Sequence, residues 1–527
     1  MDSARRHILD LSRRGLLRRA PGLAALAALG PPAARRVWAE PRFVADPFRL
    51  GVASGDPSPD GFVIWTRLAP DPLAGGGMPP LAVEVAWEVA ADARFALVAR
   101  RGTALAVPEA AHSVHVEVTG LPPGRPWFYR FRAGGAESPA GRSRTAPAAA
   151  EAPARLRIVN AGCQHYEHGF FTAWRHVAEE PDLDLVFHYG DYVYEYAGRP
   201  VGSRGWGGVV RSHAGAETVT LEAYRQRHAQ YRMDPDLQAA HAAHPFAVSF
   251  DDHEVENNWA GPVPEAAAHP DAATPEAFAL RKAAAFQAWW EHMPVRAAVR
   301  PRGPDITAYR SLGFGRLAAV HVLDTRSFRD DQPCGDRGGP PCEAVPRPGA
   351  QMLGAGQEAW LGERLAGGER WQVIAQQVPV MPHLSSGGAI SMDKWDAYPA
   401  ARDRLLAMVA AGGAENAVVL SGDVHQARAG VVPGAPGGAA AATEFVATSI
   451  SSEGDGAELP RRAEEFLQAN PHLRFLHGRR GYTLHEVTAR RMEAVFRAVD
   501  VVSRPGADRR DAARFVVEAG RAEVTPG

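Results

Sequence analysis

The chain has 527 residues, 46% hydrophobic and 22% charged, with a formal net charge of −2. That length exceeds one ordinary core, so two domains are expected, and the composition excludes a globally disordered chain. A near-neutral balance without a basic stripe gives no electrostatic footing for nucleic-acid binding. Lys282 and Lys394 are the only lysines among 58 basic residues, which reads as a coding bias.

The N-terminus stands apart. "SRRGLLRRAPGLAALAALG" sets Arg13 and Arg14 before a modest apolar run ending near Gly30, and "VWAE" offers a small-residue cleavage site after Ala39. The segment 1–39 resembles a twin-arginine signal peptide; an ordinary signal or a basic tail is the alternative. The resemblance implies export by the twin-arginine machinery to the periplasm or the medium, as a protein already folded and loaded with its cofactor. Without residues 1–39 the chain keeps 50 basic and 58 acidic residues, which again disfavours polyanion partners. No later stretch of apolar residues is long enough for a transmembrane helix.

Residues 44–147 read as all-β. "GFVIWTRLAP", "LAVEVAWEVA", "HSVHVEVTGL" and "PWFYRFRAGG" alternate in polarity between Gly/Pro turns, and "LPPGRPWFYRFRA" resembles the corner of an immunoglobulin- or fibronectin-like sandwich. "TAPAAAEAPAR" is a linker. From 154 to 515 the rhythm becomes α/β. Strands are expected in "RLRIVNAGC", "LDLVFHYGD", "HPFAVSFDDHE", "RLAAVHVLDTR", "RWQVIAQQVPV" and "NAVVLSGDVH". Helices are expected in "FFTAWRHVAEE", "LEAYRQRHAQYR", "EAFALRKAAAFQAWWEHM" and "AARDRLLAMVAAGG". The Gly-rich stretches near 200–210 and 330–350 read as surface loops.

Polar clusters recur directly after apolar strands. Cys163 follows "RIVNAG", Asp191 follows "LVFHYG", Asp251 to Glu254 follow "FAVSF", and Asp423 and His425 follow "VVLSG". Carboxyl ends of strands line the active-site crevice of α/β folds. Singly, each residue has a plain structural reading: Asp191 as a helix cap, His425 as a buried histidine. Jointly, four segments deliver metal-ligand types to one edge, which core packing does not require.

The order GDxxY, DHE, GDxH resembles the metallophosphoesterase layout. "YGDYVYEY", "DDHEVENNW", "SGDVH", "RLGVASGDPSPDGFVIWTRL" and "DKWDAYP" resemble, more closely, the PhoD-like alkaline phosphatase family over nearly the whole chain after the signal. The resemblance implies a calcineurin-like α/β metallophosphatase sandwich preceded by a small all-β domain. It further implies two metals bridged by Asp191. One would draw on Cys163, Asp191, Tyr194 and His425; thiolate and phenolate among its ligands favour Fe³⁺, with Zn²⁺ next. The other would draw on Asp191, Asp252, Asp423 and Asn258 (or its neighbour Asn257), oxygens that favour Ca²⁺, Mg²⁺ or Mn²⁺. Asp252 and Asp423 stand where the wider superfamily has Asn and His, a departure towards oxygen, and PhoD-like relatives use iron with calcium. His383 lies beyond its strand and is not counted as a ligand.

The activity implied is a phosphate-ester hydrolase acting as a monoesterase with diesterase activity. Its rivals are a phospholipase D-type phosphodiesterase and a non-catalytic exported binding protein. His253 is expected to meet the phosphate or protonate the leaving oxygen, against a structural histidine bonded by Glu254. Arg225 is a weaker phosphate-clamp candidate against a solvated helix face, and Trp395 and Tyr398 are candidate substrate-contacting rim residues against core packing. Cys334 and Cys342 are spaced for a loop disulfide in an oxidising compartment, which would leave Cys163 as the odd thiol. The Arg-rich segment "FRAVDVVSRPGADRRDAARF" is a candidate for a C-terminal helix over the site.

Overall fold

The apolar runs become strands buried on both faces, where no polar alternation is needed. Leu156–Ala161, Leu185–His188 and Pro245–Val248 lie side by side and parallel; so do Ala318–Val322, Trp371–Ala375 and Ala417–Ser421, and every residue in these strands is buried. The computed structural model describes residues 42–265, 274–385, 387–414, 416–434 and 439–527, and there the strands centre a ten-stranded and a seven-stranded sheet. The export-signal reading falls on residues outside that range.

Ile158 and Phe187 of the first sheet meet Val320, Val373, Leu420 and Phe445 of the second. Helices Thr172–Glu179, Leu221–Arg232, Pro235–Ala243 and Pro275–His292 cover the outer face of the first sheet, and Gly354–Leu365 and Pro399–Ala411 that of the second. The result is a helix–sheet–sheet–helix sandwich. Thr220 and Thr274 start two of these helices, each side chain accepting the backbone N–H three residues on at 3.2 Å.

The N-terminal β-segment is a sandwich that shares one layer with this core. Strands Val52–Ser58, Gly61–Arg67 and Ser113–Val118 pack through Phe62, Ile64, Val85, Val89 and Tyr129 against a smaller sheet containing Val83–Ala90, Val98–Ala106 and Pro126–Ala133. Val52–Ser58 also pairs in parallel with Pro245–Val248, Ser54 opposite Pro245 and Gly55 opposite Phe246. One face of the sandwich is thereby the edge of the large sheet, and Phe43–Gly527 pack as one unit.

The C-terminal Arg-rich stretch is not a helix over the site. It forms antiparallel strands Arg491–Val499 and Arg509–Glu518 at the edge of the ten-stranded sheet. Its arginines make cross-strand ion pairs, Arg514 with Glu493 and Arg497 with Asp511, a use for alternating charge that a strand provides.

Tyr189, just past Leu185–His188, fixes how closely the strand ends approach. Its ring lies against Gly162 and Gly422, where an added Cβ would come within 2.6 and 2.2 Å of ring atoms. Those glycines precede Cys163 and Asp423. Gly422→Ala should therefore cost about 1–3 kcal/mol by overpacking, read as a lower denaturation midpoint; an unchanged midpoint would contradict this close approach.

Candidate functional site

The parallel strands of both sheets end in short polar loops on one side. Five residues there, Cys163, Asp191, Asn258, Asp423 and His425, have φ between 50° and 67°. Left-handed backbone at non-glycine residues costs roughly 1–3 kcal/mol each and persists only where the surroundings enforce it. Here it turns side chains away from the strand direction towards one another.

Three groups of ligand-type atoms result, each lying within 4.8 Å of one another: Cys163, Asp191 and His425; Asp191, Asp252 and His253; and Asp251, Asp252 and Asp423. Asp191 belongs to two of them. Its Oδ2 lies 3.2 Å from Cys163 Sγ and accepts from the Tyr194 hydroxyl at 2.8 Å, and that hydroxyl is 3.4 Å from His425 Nε2. Asp191 Oδ1 is buried and has no hydrogen-bond partner. Burial first, then the neighbouring carboxylates, push the Cys163 thiol well above its usual range; burial, then Asp191 and Cys163, do the same to the Tyr194 phenol. A buried, unpartnered carboxylate oxygen among protonated sulfur and phenol groups is a site that lacks positive charge. The donors fit a cation.

The oxygen-rich side is held differently. Arg326 is fully buried and reaches Asp251 at 2.5 Å, Asp393 at 2.6 Å, Asp252 at 3.3 Å and Asp423 at 3.8 Å. Burial opposes ionisation of both Asp251 and Asp252. It prevails at Asp251, whose pKa rises to about 8; Arg326 and His253 outweigh it at Asp252, whose pKa falls to about 2. Lys394 pairs with Asp423 and, at 3.1 Å, with Asp393. Asn258 donates its backbone N–H to Asp252 at 2.9 Å and its side-chain amide to Asp336 at 3.1 Å, while Asn257 donates its side-chain amide to Glu265.

His253 is oriented by Glu195, not by Glu254: its Nδ1 donates to Glu195 Oε2 at 2.8 Å. Burial lowers the imidazole pKa, but Glu195, Asp252 and Asp191 outweigh burial and raise it well above its usual range. Glu254 instead accepts the backbone N–H groups of Asp191, Tyr192 and Asp251 at 3.1, 2.7 and 2.8 Å, tying two strand-end loops together. Ser452 bonds the Tyr194 hydroxyl at 2.7 Å and the Cys163 carbonyl at 2.8 Å. A cleft of about 340 Å³ opens over the cluster, lined by Asp191, Asp252, His253, Asp423 and His425 with Tyr196, Trp206, Asn257, Asn258 and Lys394.

A family model for the PhoD-like phosphatase matches residues 158–496, and one for the PhoD-like phosphatase N-terminal domain matches residues 33–147. The chain belongs to the PhoD-like phosphatase family. It is 46% identical over 489 residues to alkaline phosphatase D of Bacillus subtilis (strain 168), covering 92% of this chain and 82% of that protein. The solved structure of PhoD matches with a TM-score of 0.88 at 45% identity, covering 92% of this chain and 93% of that one.

Three expected substrate contacts of this PhoD-like chain lie elsewhere. Arg225 is absent from the cleft lining; it grips Glu291 on the neighbouring helix with two bonds of 2.6 and 2.7 Å and donates to the Glu109 carbonyl. Trp395 and Tyr398 are buried in the core beneath the second sheet, bonded to Gln376 and to the Asp330 carbonyl. From their motif "DKWDAYP" it is Lys394 that lines the cleft, one of the two lysines of the chain. Glu195 stood in "YGDYVYEY" without a sequence signal for its role, and nothing local marked Arg326 or Ser452. Cys334 and Cys342 are bonded to each other, and Cys163 is free and buried. Arg225→Gln should lower the melting midpoint, since buried Glu291 loses its guanidinium partner and keeps the Gln287 amide at 2.7 Å, and leave KM for phosphate esters unchanged. A rise in KM with no loss of stability would return Arg225 to the substrate.

Proposed function

We propose that the chain is an exported, metal-dependent phosphate-ester hydrolase, an alkaline phosphomonoesterase with phosphodiesterase activity. Cys163, Asp191, Tyr194 and His425 hold Fe³⁺ in this reading, and Asp191, Asp252, Asp423 and Asn258 hold Ca²⁺. Asp191 carries the proposal: one buried carboxylate lies at once in the group with Cys163 and His425 and in the group with Asp252 and His253, Asp252 leading on to the all-carboxylate group with Asp251 and Asp423, and one Asp191 oxygen is still unpartnered. The name of its Bacillus relative, alkaline phosphatase D, supports the activity. The full set of ligand types counts against a non-catalytic binding protein. Arg13 and Arg14 before a short apolar run support the twin-arginine route, and no described helix is long and apolar enough to cross a membrane.

When bound, the ions would neutralise charge at the phosphoryl oxygens and lower the pKa of a water. The protein does the rest. Glu195 fixes His253 with Nδ1 protonated, leaving Nε2 as the ring nitrogen for the cleft, where it donates a proton to the leaving oxygen. Lys394 adds a compact positive charge beside Asp423. Ser452 and Glu254 hold the Tyr194 hydroxyl and the Asp191 loop in place.

Protein purified without chelator should absorb visible light, because phenolate and thiolate on Fe³⁺ give charge-transfer bands, and Cys163→Ser should shift or weaken them. A colourless active enzyme containing only zinc would overturn the iron assignment. Asp191→Asn should abolish turnover with the fold retained, and His253→Gln should lower turnover by about 10²–10⁴-fold with metal content unchanged. Turnover at the native level in either variant would refute that residue's role.

A further inference from the structure

The cleft has one wall that phosphoryl chemistry does not use. Trp206 is the one exposed tryptophan among the described residues, 43% accessible, and it lines the cleft beside Tyr196. Its ring is set edge-to-face on His168 at 4.6 Å, His165 at 5.3 Å and Tyr196 at 5.9 Å. Its indole N–H donates to Glu453 Oε1 at 3.2 Å, and that same oxygen lies 3.4 Å from His425 Nδ1. The backbone holding it is glycine-built: Gly205, Gly207 and Gly208 have φ of 114°, 74° and 66°. A Cβ on Gly207 would stand 2.4 Å from the His168 ring, so the tip is pressed onto the aromatic wall.

An indole with its N–H satisfied and its ring fixed loses little freedom on contact, which is how aromatic side chains bind ring-bearing ligands. We propose that Trp206, with Tyr196 beside it, forms a subsite for the organic group of the phosphate ester and selects flat, ring-bearing alcohols over short alkyl ones. The proposal rests on the phosphoryl-site reading above. It assigns Trp206 to specificity and leaves bond cleavage to the residues already named.

Two phosphonates that cannot be hydrolysed separate ring binding from phosphoryl binding: phenylphosphonate and methylphosphonate, titrated calorimetrically into the metal-loaded protein as purified. Trp206→Ala should weaken phenylphosphonate about tenfold, as expected for loss of one aromatic contact, and leave methylphosphonate within about twofold. Trp206→Phe keeps a ring and removes the bond to Glu453; it should retain most of the phenyl preference. Equal weakening of both ligands in Trp206→Ala would overturn the proposal, making Trp206 a support for His425 through Glu453. An unchanged phenylphosphonate affinity would overturn it too. If wild-type protein binds both phosphonates equally yet hydrolyses phosphate esters, the subsite falls and the proposed function stands. If it binds neither and hydrolyses no phosphate ester, both fall.

Discussion

One guanidinium facing four carboxylates is the constraint around which the molecule is arranged. Asp251, Asp252, Asp393 and Asp423 come from three separate chain segments, and all lie within 3.8 Å of Arg326 in the interior. Like charges at such distances repel strongly in a medium of low effective dielectric; Arg326 alone cannot balance four, and Arg329 adds a second guanidinium 2.9 Å from Asp393. Lys394 supplies part of the remainder from the cleft side. Asp191 adjoins this group through Asp252, with His253 as the positive group nearby, and still keeps a bare buried oxygen. The crowded carboxylates Asp191, Asp252 and Asp423 are thus gathered where the cleft opens.

Holding that charge requires a rigid frame, and the two sheets supply it. Their parallel strands are buried on both faces, so the loops at their ends inherit fixed starting points. Close packing at Tyr189 sets the spacing between the loops of the two sheets, and Glu254 ties the Asp191 loop to the Asp251 loop by three backbone bonds. The left-handed residues at the loop tips are the strain that such a frame sustains. Stability and binding competence are linked here: a cation that enters the cluster relieves repulsion the folded chain otherwise carries.

Much of this was legible in the sequence because it is local. A run such as "VVLSGDVH" carries both its strand and its polar ending in consecutive residues, so the sheet core, the main helices and the strand-end residues Cys163, Asp191, Asp252, Asp423 and His425 could be read directly, whereas Tyr194 and Asn258 came only with the family resemblance. What depends on partners distant in the chain could not. Arg225 has the same local appearance whether it faces phosphate or Glu291, 66 residues away. Trp395 and Tyr398 fall within a phosphatase-like motif, yet the motif's contribution to the cleft is Lys394 while its rings fill the core. The Arg-rich C-terminal stretch carried charge enough for a helix surface, but its arginines find acids across a hairpin. Trp206 sat in a segment readable only as a loop, because its value lies in contacts with His165 and His168, brought to it from beyond another strand.

The central claim is that the cluster around Asp191 is a metal centre on which turnover depends. Elemental analysis of protein isolated without chelator, paired with phosphate-ester turnover as metal is withdrawn and restored, tests it most directly. The account predicts two kinds of ion bound per chain, with activity falling as they are removed and returning as both are restored. Full turnover by protein stripped of metal would contradict it.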